Sequence, residues 1–330
     1  MFNALLVDHT DSTRTARVQA LEASDLPEGD VEVEVLYSSL NYKDALAVTG
    51  RGKIIRGDFP FVPGIDLVGR VVASEVPEVA PGDVVIQTGW GLGETHWGGY
   101  AGRQRVWARH LVPLPEGLTP LDAMVIGTAG FTAMLAVQTL EEHGVTPDRG
   151  EVVVTGASGG VGSFAVALLA RAGYHVVAST GSASAHTYLT RLGATRIIPR
   201  DTLGQGPQRP LDSARWAGAV DAVGGATLAA ILSTLDRHGC VAACGLAGGA
   251  ELHTTVFPFI LRGVVLAGID SNTCPNDRRR QIWKRLAEAV SEDLREQILA
   301  RIISLEAVPE ASEAVLAGRV QGRIVVDPRA

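Results

Sequence analysis

Short apolar runs separated by Gly and Pro dominate the first third of the chain. Residues 31–35 alternate strictly as Val-Glu-Val-Glu-Val, and residues 68–72 and 84–86 follow with turn residues between them. A period of two buries one face of a strand, so this segment is predicted to be β-rich. From about residue 123 the pattern changes to apolar runs at 151–155, 175–179, 196–198, 219–223, 240–244 and 264–269, alternating with helix-length stretches such as 164–172, which stops at Gly173. Strands that alternate with helices predict a parallel sheet covered by helices, an α/β second domain. Residues 204–210 predict a loop, and 321–326 read as a strand that can return to the first domain, although periodicity alone does not place it. The predicted organisation is 1–122, completed by about 293–330, and 123–292.

Composition narrows the classes of function. A hydrophobic share of 46% against 20% charged residues is that of a folded globular chain. With 29 basic and 36 acidic side chains the net charge is −7, so there is no general attraction to nucleic acid or to an anionic membrane. The first ten residues lack the pattern of a secretion signal, and the apolar runs are expected to fall short of a membrane span, which gives a cytoplasmic reading. Cys240, Cys244 and Cys274 are an odd set without CxxC spacing, so they read as small core residues.

The segment Gly156-Ala157-Ser158-Gly159-Gly160-Val161-Gly162 lies between a predicted strand and a predicted helix. Glycines there let backbone N–H groups and the helix N-terminus approach a pyrophosphate. Ala157 breaks the strict GxGxxG pattern, and a plain strand-to-helix turn is the competing interpretation. About twenty residues on, where NAD sites carry an acidic side chain for the ribose, the sequence reads Ser179-Thr180-Gly181-Ser182. Without a carboxylate a 2′-phosphate is tolerated, and Arg200 is either its counter-charge or a solvated surface cation.

Three segments of the first domain stand out: Ser39-Leu40-Asn41-Tyr42-Lys43-Asp44, Pro63-Gly64-Ile65-Asp66-Leu67-Val68-Gly69 and His96-Trp97-Gly98-Gly99-Tyr100-Ala101. With Gly127-Thr128-Ala129-Gly130-Phe131-Thr132-Ala133 and the glycine loop, in this order along nearly the whole chain, they resemble the quinone-oxidoreductase-like branch of the medium-chain dehydrogenase/reductases. Residues 41–45, 127–134, 153–162 and 240–249 are similar more narrowly to its acryloyl-CoA reductase (NADPH) subgroup. The resemblance implies a GroES-like β-rich catalytic domain, a Rossmann dinucleotide-binding domain, NADP(H), an acyl-CoA or other activated alkene as substrate, and a homodimer. It also implies cofactor contacts at Tyr42, Thr128, Ser158, Gly159, Gly160, Val161, Thr180, Gly181, Ser182 and Arg200, with Leu246, Ile260 and Ser271 on the nicotinamide side. The subgroup often has arginine where Ser182 stands, so one phosphate cation is missing.

Zinc is not expected, because no cysteine precedes Cys240 and His96 with Asp66 does not make a three-ligand site. Reduction of an enoyl thioester then needs a hydride at Cβ, donors for the enolate oxygen and a proton for Cα. Tyr42 and Asn41 are the candidate catalytic donors, oriented by Asp44 or Asp66, with cofactor positioning an equal reading for Tyr42. Arg51, Lys53 and Arg56 are the nearest basic cluster, either a solvated loop or a contact for CoA phosphates. A quinone reductase and a non-catalytic NADPH-binding protein are the alternatives.

Overall fold

A computed structural model describes residues 1–10 and 13–330 and divides into two compact units, Met1–Thr128 with Asn272–Ala330, and Ala129–Ser271. The divisions fall later and earlier, respectively, than the 122/123 and 292/293 expected. The helix Asn276–Ala289 belongs to the first unit, where buried Arg279 donates to the Thr88 carbonyl at 2.6 Å and its hydroxyl at 2.9 Å. A charged helix gives no sequence sign of such an anchor.

In the first unit, Val31–Leu40 is the central strand of a seven-stranded sheet. It pairs antiparallel with Asp66–Ser74, Arg103–Val106 and the C-terminal strand Arg323–Val326. The last pairing settles the return that periodicity left open. Val31, Val33 and Val35 are fully buried, while Glu32 faces Arg103 at 3.0 Å and Arg105 at 3.6 Å. A slip of one residue would drive two glutamates into the core and expose the valines, so the alternation itself fixes the register. A separate hairpin, Phe2–Thr10 with Thr13–Leu21, packs Ala4, Leu5, Leu6 and Val7 into a core that also holds Tyr100, Val308 and Val326.

The second unit is a six-stranded parallel sheet. Its spatial order is Arg196–Pro199, His175–Thr180, Glu151–Val154, Trp216–Asp221, Leu235–Ala243, Val265–Gly268. Counted along the chain this is 3-2-1-4-5-6, the doubly wound order in which a dinucleotide lies across the carboxyl ends of the strands at the reversal point. The fourth and fifth strands begin earlier than the apolar pattern suggested, since Trp216 and Leu235 are themselves fully buried. The helix after the glycine loop starts at Gly160, four residues before the run of helix formers, because Gly159 already has the extended backbone of an N-cap.

One expectation is corrected. The helix Pro120–Glu142 is long and apolar enough to cross a membrane, with no charge from 123 to 140; 89% of its apolar window is buried inside the protein, which makes it a core helix. It breaks at Gly127, whose backbone is non-helical with φ +47.

Candidate active site

The first unit holds a buried polar cluster beneath the helix Tyr42–Thr49. Asp66 lies at its centre, fully buried at the start of its strand. Its Oδ2 accepts from the Ser39 hydroxyl at 2.5 Å, Asn41 Nδ2 at 2.9 Å and the Thr128 N–H at 3.0 Å, and its Oδ1 accepts from the Thr128 hydroxyl at 2.5 Å. The break at Gly127 makes this possible. A Cβ there would stand 2.6 Å from Asp66 Oδ2 and 2.8 Å from Arg323 Nη2, so only glycine lets the backbone come down onto the cluster.

Arg323 supplies the cation. Its guanidinium donates to the Val125 carbonyl at 3.1 Å, the Leu40 carbonyl at 3.3 Å, Asn41 Oδ1 at 3.0 Å and the Ser39 hydroxyl at 2.8 Å, and it stands 3.8 Å from Asp66. Burial lowers its pKa, against the pull of Asp66 and Asp44. Asp44 is the second carboxyl. It accepts from the Asn41 N–H and Nδ2 at 2.9 and 3.0 Å and from the Ile65 N–H at 2.9 Å. Burial, helped by the charge of Asp66, raises its pKa to about 7. One guanidinium balances one carboxylate, and the other carboxyl is driven toward its neutral form. Tyr100, whose hydroxyl donates to the Ser39 carbonyl at 3.1 Å, is pushed well above the usual phenol range by burial.

The two candidate donors part company here. Asn41 is buried, both of its amide hydrogens go to Asp44 and Asp66, and its carbonyl accepts from Arg323. Its amide holds the start of the helix in place, which corrects the expectation that it donates to a substrate. Tyr42, the next residue, is the first of the helix and 42% exposed, and among the described residues its hydroxyl has no hydrogen-bond partner. Thr128 directs its N–H and hydroxyl at Asp66. Sequence reasoning missed Arg323 and Ser39; the signal available for Arg323 was a charged residue at the head of the apolar strand Arg323–Val326.

The two residues considered for zinc have other partners. Asp66 is saturated by the donors above, and His96, half-buried, has Nε2 2.7 Å from the Arg105 carbonyl, with desolvation lowering its pKa. Among the described residues no three His, Cys, Asp or Glu side chains are grouped to hold a metal. Burial pushes the thiols of Cys240 and Cys244 up to about 11 and about 12, which disfavours their thiolate forms.

In the second unit the glycine loop leads into the twelve-residue helix Gly160–Arg171, with no acidic residue in its first turn. The N–H groups of that turn have no partners within the helix and carry its partial positive charge. Ser158 and Thr180 hydroxyls lie 3.4 Å apart, and the Ser182 N–H donates to the Thr180 hydroxyl at 3.2 Å, so the three residues converge at the ends of two adjacent strands. The Arg200 N–H donates to the Thr180 carbonyl at 3.0 Å, and its guanidinium lies across Gly181 so closely that any Cβ at that position would collide with it. Arg200 is thus held at the end of the second strand, where a 2′-phosphate is recognised in this fold. Loop, helix and guanidinium fit an adenine dinucleotide bearing a 2′-phosphate. Leu246 and Ile260 are exposed, at 62% and 69%, and Ser271 is half-buried.

Family models match both parts of the chain: the alcohol dehydrogenase GroES-like domain over residues 27–116 and the zinc-binding dehydrogenase model over 160–291. Across its whole length the chain is 54% identical to the probable acrylyl-CoA reductase AcuI of Escherichia coli, with 98% of each chain covered. It is 51% identical to the acrylyl-CoA reductase AcuI of Ruegeria pomeroyi over 100% of both. The chain belongs to the AcuI family of medium-chain dehydrogenase/reductases. Members of this family and their neighbours have solved structures. The yhdH oxidoreductase of Salmonella enterica, in complex with NADP, matches with a TM-score of 0.96 at 54% identity, covering 98% of this chain and 99% of that one. The putative quinone oxidoreductase YhfP of Bacillus subtilis is 45% identical over 99% of this chain and 98% of its own, and its structure with NAD bound matches with a TM-score of 0.94. The AcuI assignment bears out the fold expected from the sequence motifs, a Rossmann domain and a GroES-like domain. The zinc-binding description of the second model does not carry over to ligands in this chain, which has no cysteine before Cys240.

Proposed function

We propose that the protein is a zinc-independent, NADPH-dependent oxidoreductase that reduces the 2,3 double bond of acrylyl-CoA to propionyl-CoA. Full-length identity of 51–54% to AcuI acrylyl-CoA reductases carries this reading. The glycine loop, Ser158, Gly159, Gly160 and Val161, would hold the pyrophosphate, and Thr180, Gly181, Ser182 and Arg200 the 2′-phosphate of the adenosine. NADPH supplies the hydride when bound. The chain supplies what the thioester needs besides: a donor for the enolate oxygen or a proton for Cα, and a rigid mount for that donor.

Tyr42 is that donor. It presents an exposed phenol at the first position of a helix, and the residue before it is locked by Asp44, Asp66 and Arg323. Asn41 is a positioning residue. Thr128, Leu246, Ile260 and Ser271 complete the cofactor contacts. A homodimer is part of the proposal: Val265–Gly268 is an edge strand of its sheet, and Val256, Phe257 and Leu261 in the segment before it are exposed apolar side chains that a second copy would cover.

Quinone reduction is the second reading, favoured by the 45% identity to YhfP, a putative quinone oxidoreductase. NADPH oxidation with acrylyl-CoA, crotonyl-CoA, free acrylate and a soluble quinone separates the two. Turnover confined to the quinone would overturn the thioester assignment.

A further inference from the structure

A surface cavity of about 570 Å³ in the first unit is lined by His9, Arg14, Arg51, Lys53 and Arg56, with Ile55 and two glycines, and no carboxylate belongs to its lining. His9 and Arg14 face each other across the N-terminal hairpin, and the other three follow the Tyr42–Thr49 helix in the chain. Two of the cations have counter-charges: Arg51 pairs with Glu313 at 2.7 Å, and Arg56 shares Glu94 with Lys43, each at 2.8 Å. Lys53 and Arg14 have none among the described residues. Arg14 lies with its guanidinium 4.5 Å from the centre of the Phe59 ring, and its Nε and Nη1 are shut off from water without a hydrogen-bond partner. Burial lowers its pKa accordingly. A guanidinium with two of its three nitrogens shut off from water and unpaired is costly unless an anion meets its remaining edge, and here it stands with Arg51, Lys53 and Arg56 around one concave surface on a protein whose net charge is −7.

We propose that this cavity binds the phosphorylated adenosine end of the CoA thioester, with Arg14 and Lys53 as the phosphate ligands. The inference rests on the acrylyl-CoA reading above and adds the site that distinguishes CoA from a shorter thioester. Spacing agrees with it: the helix from Tyr42 to the basic loop rises about 12 Å, so the reactive end and the phosphates lie at opposite ends of one short element. Arg14 is also the residue that sequence inspection of the 51–56 loop did not find, because it arrives from the hairpin.

The test compares S-acrylyl-CoA with S-acrylyl-pantetheine, which keeps the reactive arm and lacks the nucleotide, for the full chain at saturating NADPH. Arg14→Gln and Lys53→Gln should each raise the KM for acrylyl-CoA about tenfold at low salt, less as salt rises, since a hydrogen bond to a charged group is worth about that factor. The kcat, the KM for NADPH and the KM for the pantetheine thioester should stay unchanged. Lys53, without an intramolecular partner, keeps the test valid should Arg14→Gln fail to fold. Equal KM for acrylyl-CoA in wild type and variants, or a parallel rise for the pantetheine thioester, overturns the site. A wild type that reduces neither thioester overturns the reaction itself and the ligand of the cavity with it; that pattern is distinct, because it needs no variant.

Discussion

Arg323→Met removes the one guanidinium in the buried cluster while keeping an apolar stem of similar reach. Four acceptors lose a donor: the Val125 and Leu40 carbonyls, Asn41 Oδ1 and the Ser39 hydroxyl. Asp66, at 3.8 Å, loses its cation in a site with no water contact. Hydrogen bonds to a charged group are worth about 1.5–3 kcal/mol each, yet they do not add within one network. Breaking a buried pair from one side costs about 3–5 kcal/mol, and that range is the expected loss. For a unit of this size it lowers Tm by roughly 6–20 °C. Calorimetry of wild type, Arg323→Met, Asp66→Asn and the double variant reads it directly. Asp66→Asn should destabilise the Arg323→Met protein less than the wild type, because the uncompensated carboxylate is then gone. A loss below about 1 kcal/mol, or fully additive effects, would refute the view that charge balance holds the helix start in place.

Asp44 gives the cluster a pH dependence. Its folded pKa of about 7 lies above the unfolded carboxyl value of 3.8, so between about pH 4 and 7 the unfolded chain releases a proton that the folded one keeps, and stability falls as pH rises, by on the order of 4 kcal/mol before levelling. Urea midpoints across that range check it; a flat or rising contribution, isolated by comparison with Asp44→Asn, contradicts it. Arg200→Ala should weaken NADPH about 10- to 150-fold and leave NADH nearly unchanged, while Ser182→Arg should strengthen NADPH selectivity. Equal weakening of both cofactors in a binding titration removes Arg200 from the 2′-phosphate. Tyr42→Phe should lower kcat by about 100-fold if the phenol is the acid; an unchanged kcat with a raised NADPH KM makes Tyr42 a cofactor contact instead.

Much of the architecture was legible because it follows from local pattern. The strict alternation at 31–35 and the apolar runs from 151 onward announce strands, and the glycine loop announces the turn between the first of those runs and its helix. The polar cluster was half legible. Asn41, Asp44 and Asp66 stand close in recognisable strings, but Arg323 comes from almost the other end of the chain, and only the antiparallel pairing of residues 324–326 with residues 38–40 brings it to them. Helix 120–142 was misjudged because Gly, Thr and Gln interrupt its hydrophobicity to the eye while leaving it uncharged. Arg14 could not be grouped with the 51–56 loop, since the hairpin's position is a tertiary fact.

The proposed reaction is conjugate reduction of a CoA thioester by hydride addition at Cβ. Incubating the protein with acrylyl-CoA and NADPH deuterated at the transferable position, with mass analysis of the acyl product, tests it most directly. Hydride transfer to Cβ gives propionyl-CoA carrying one deuterium at C3, with a solvent proton at C2. Recovery of unreduced acrylyl-CoA while the same enzyme oxidises NADPH with a quinone would contradict it.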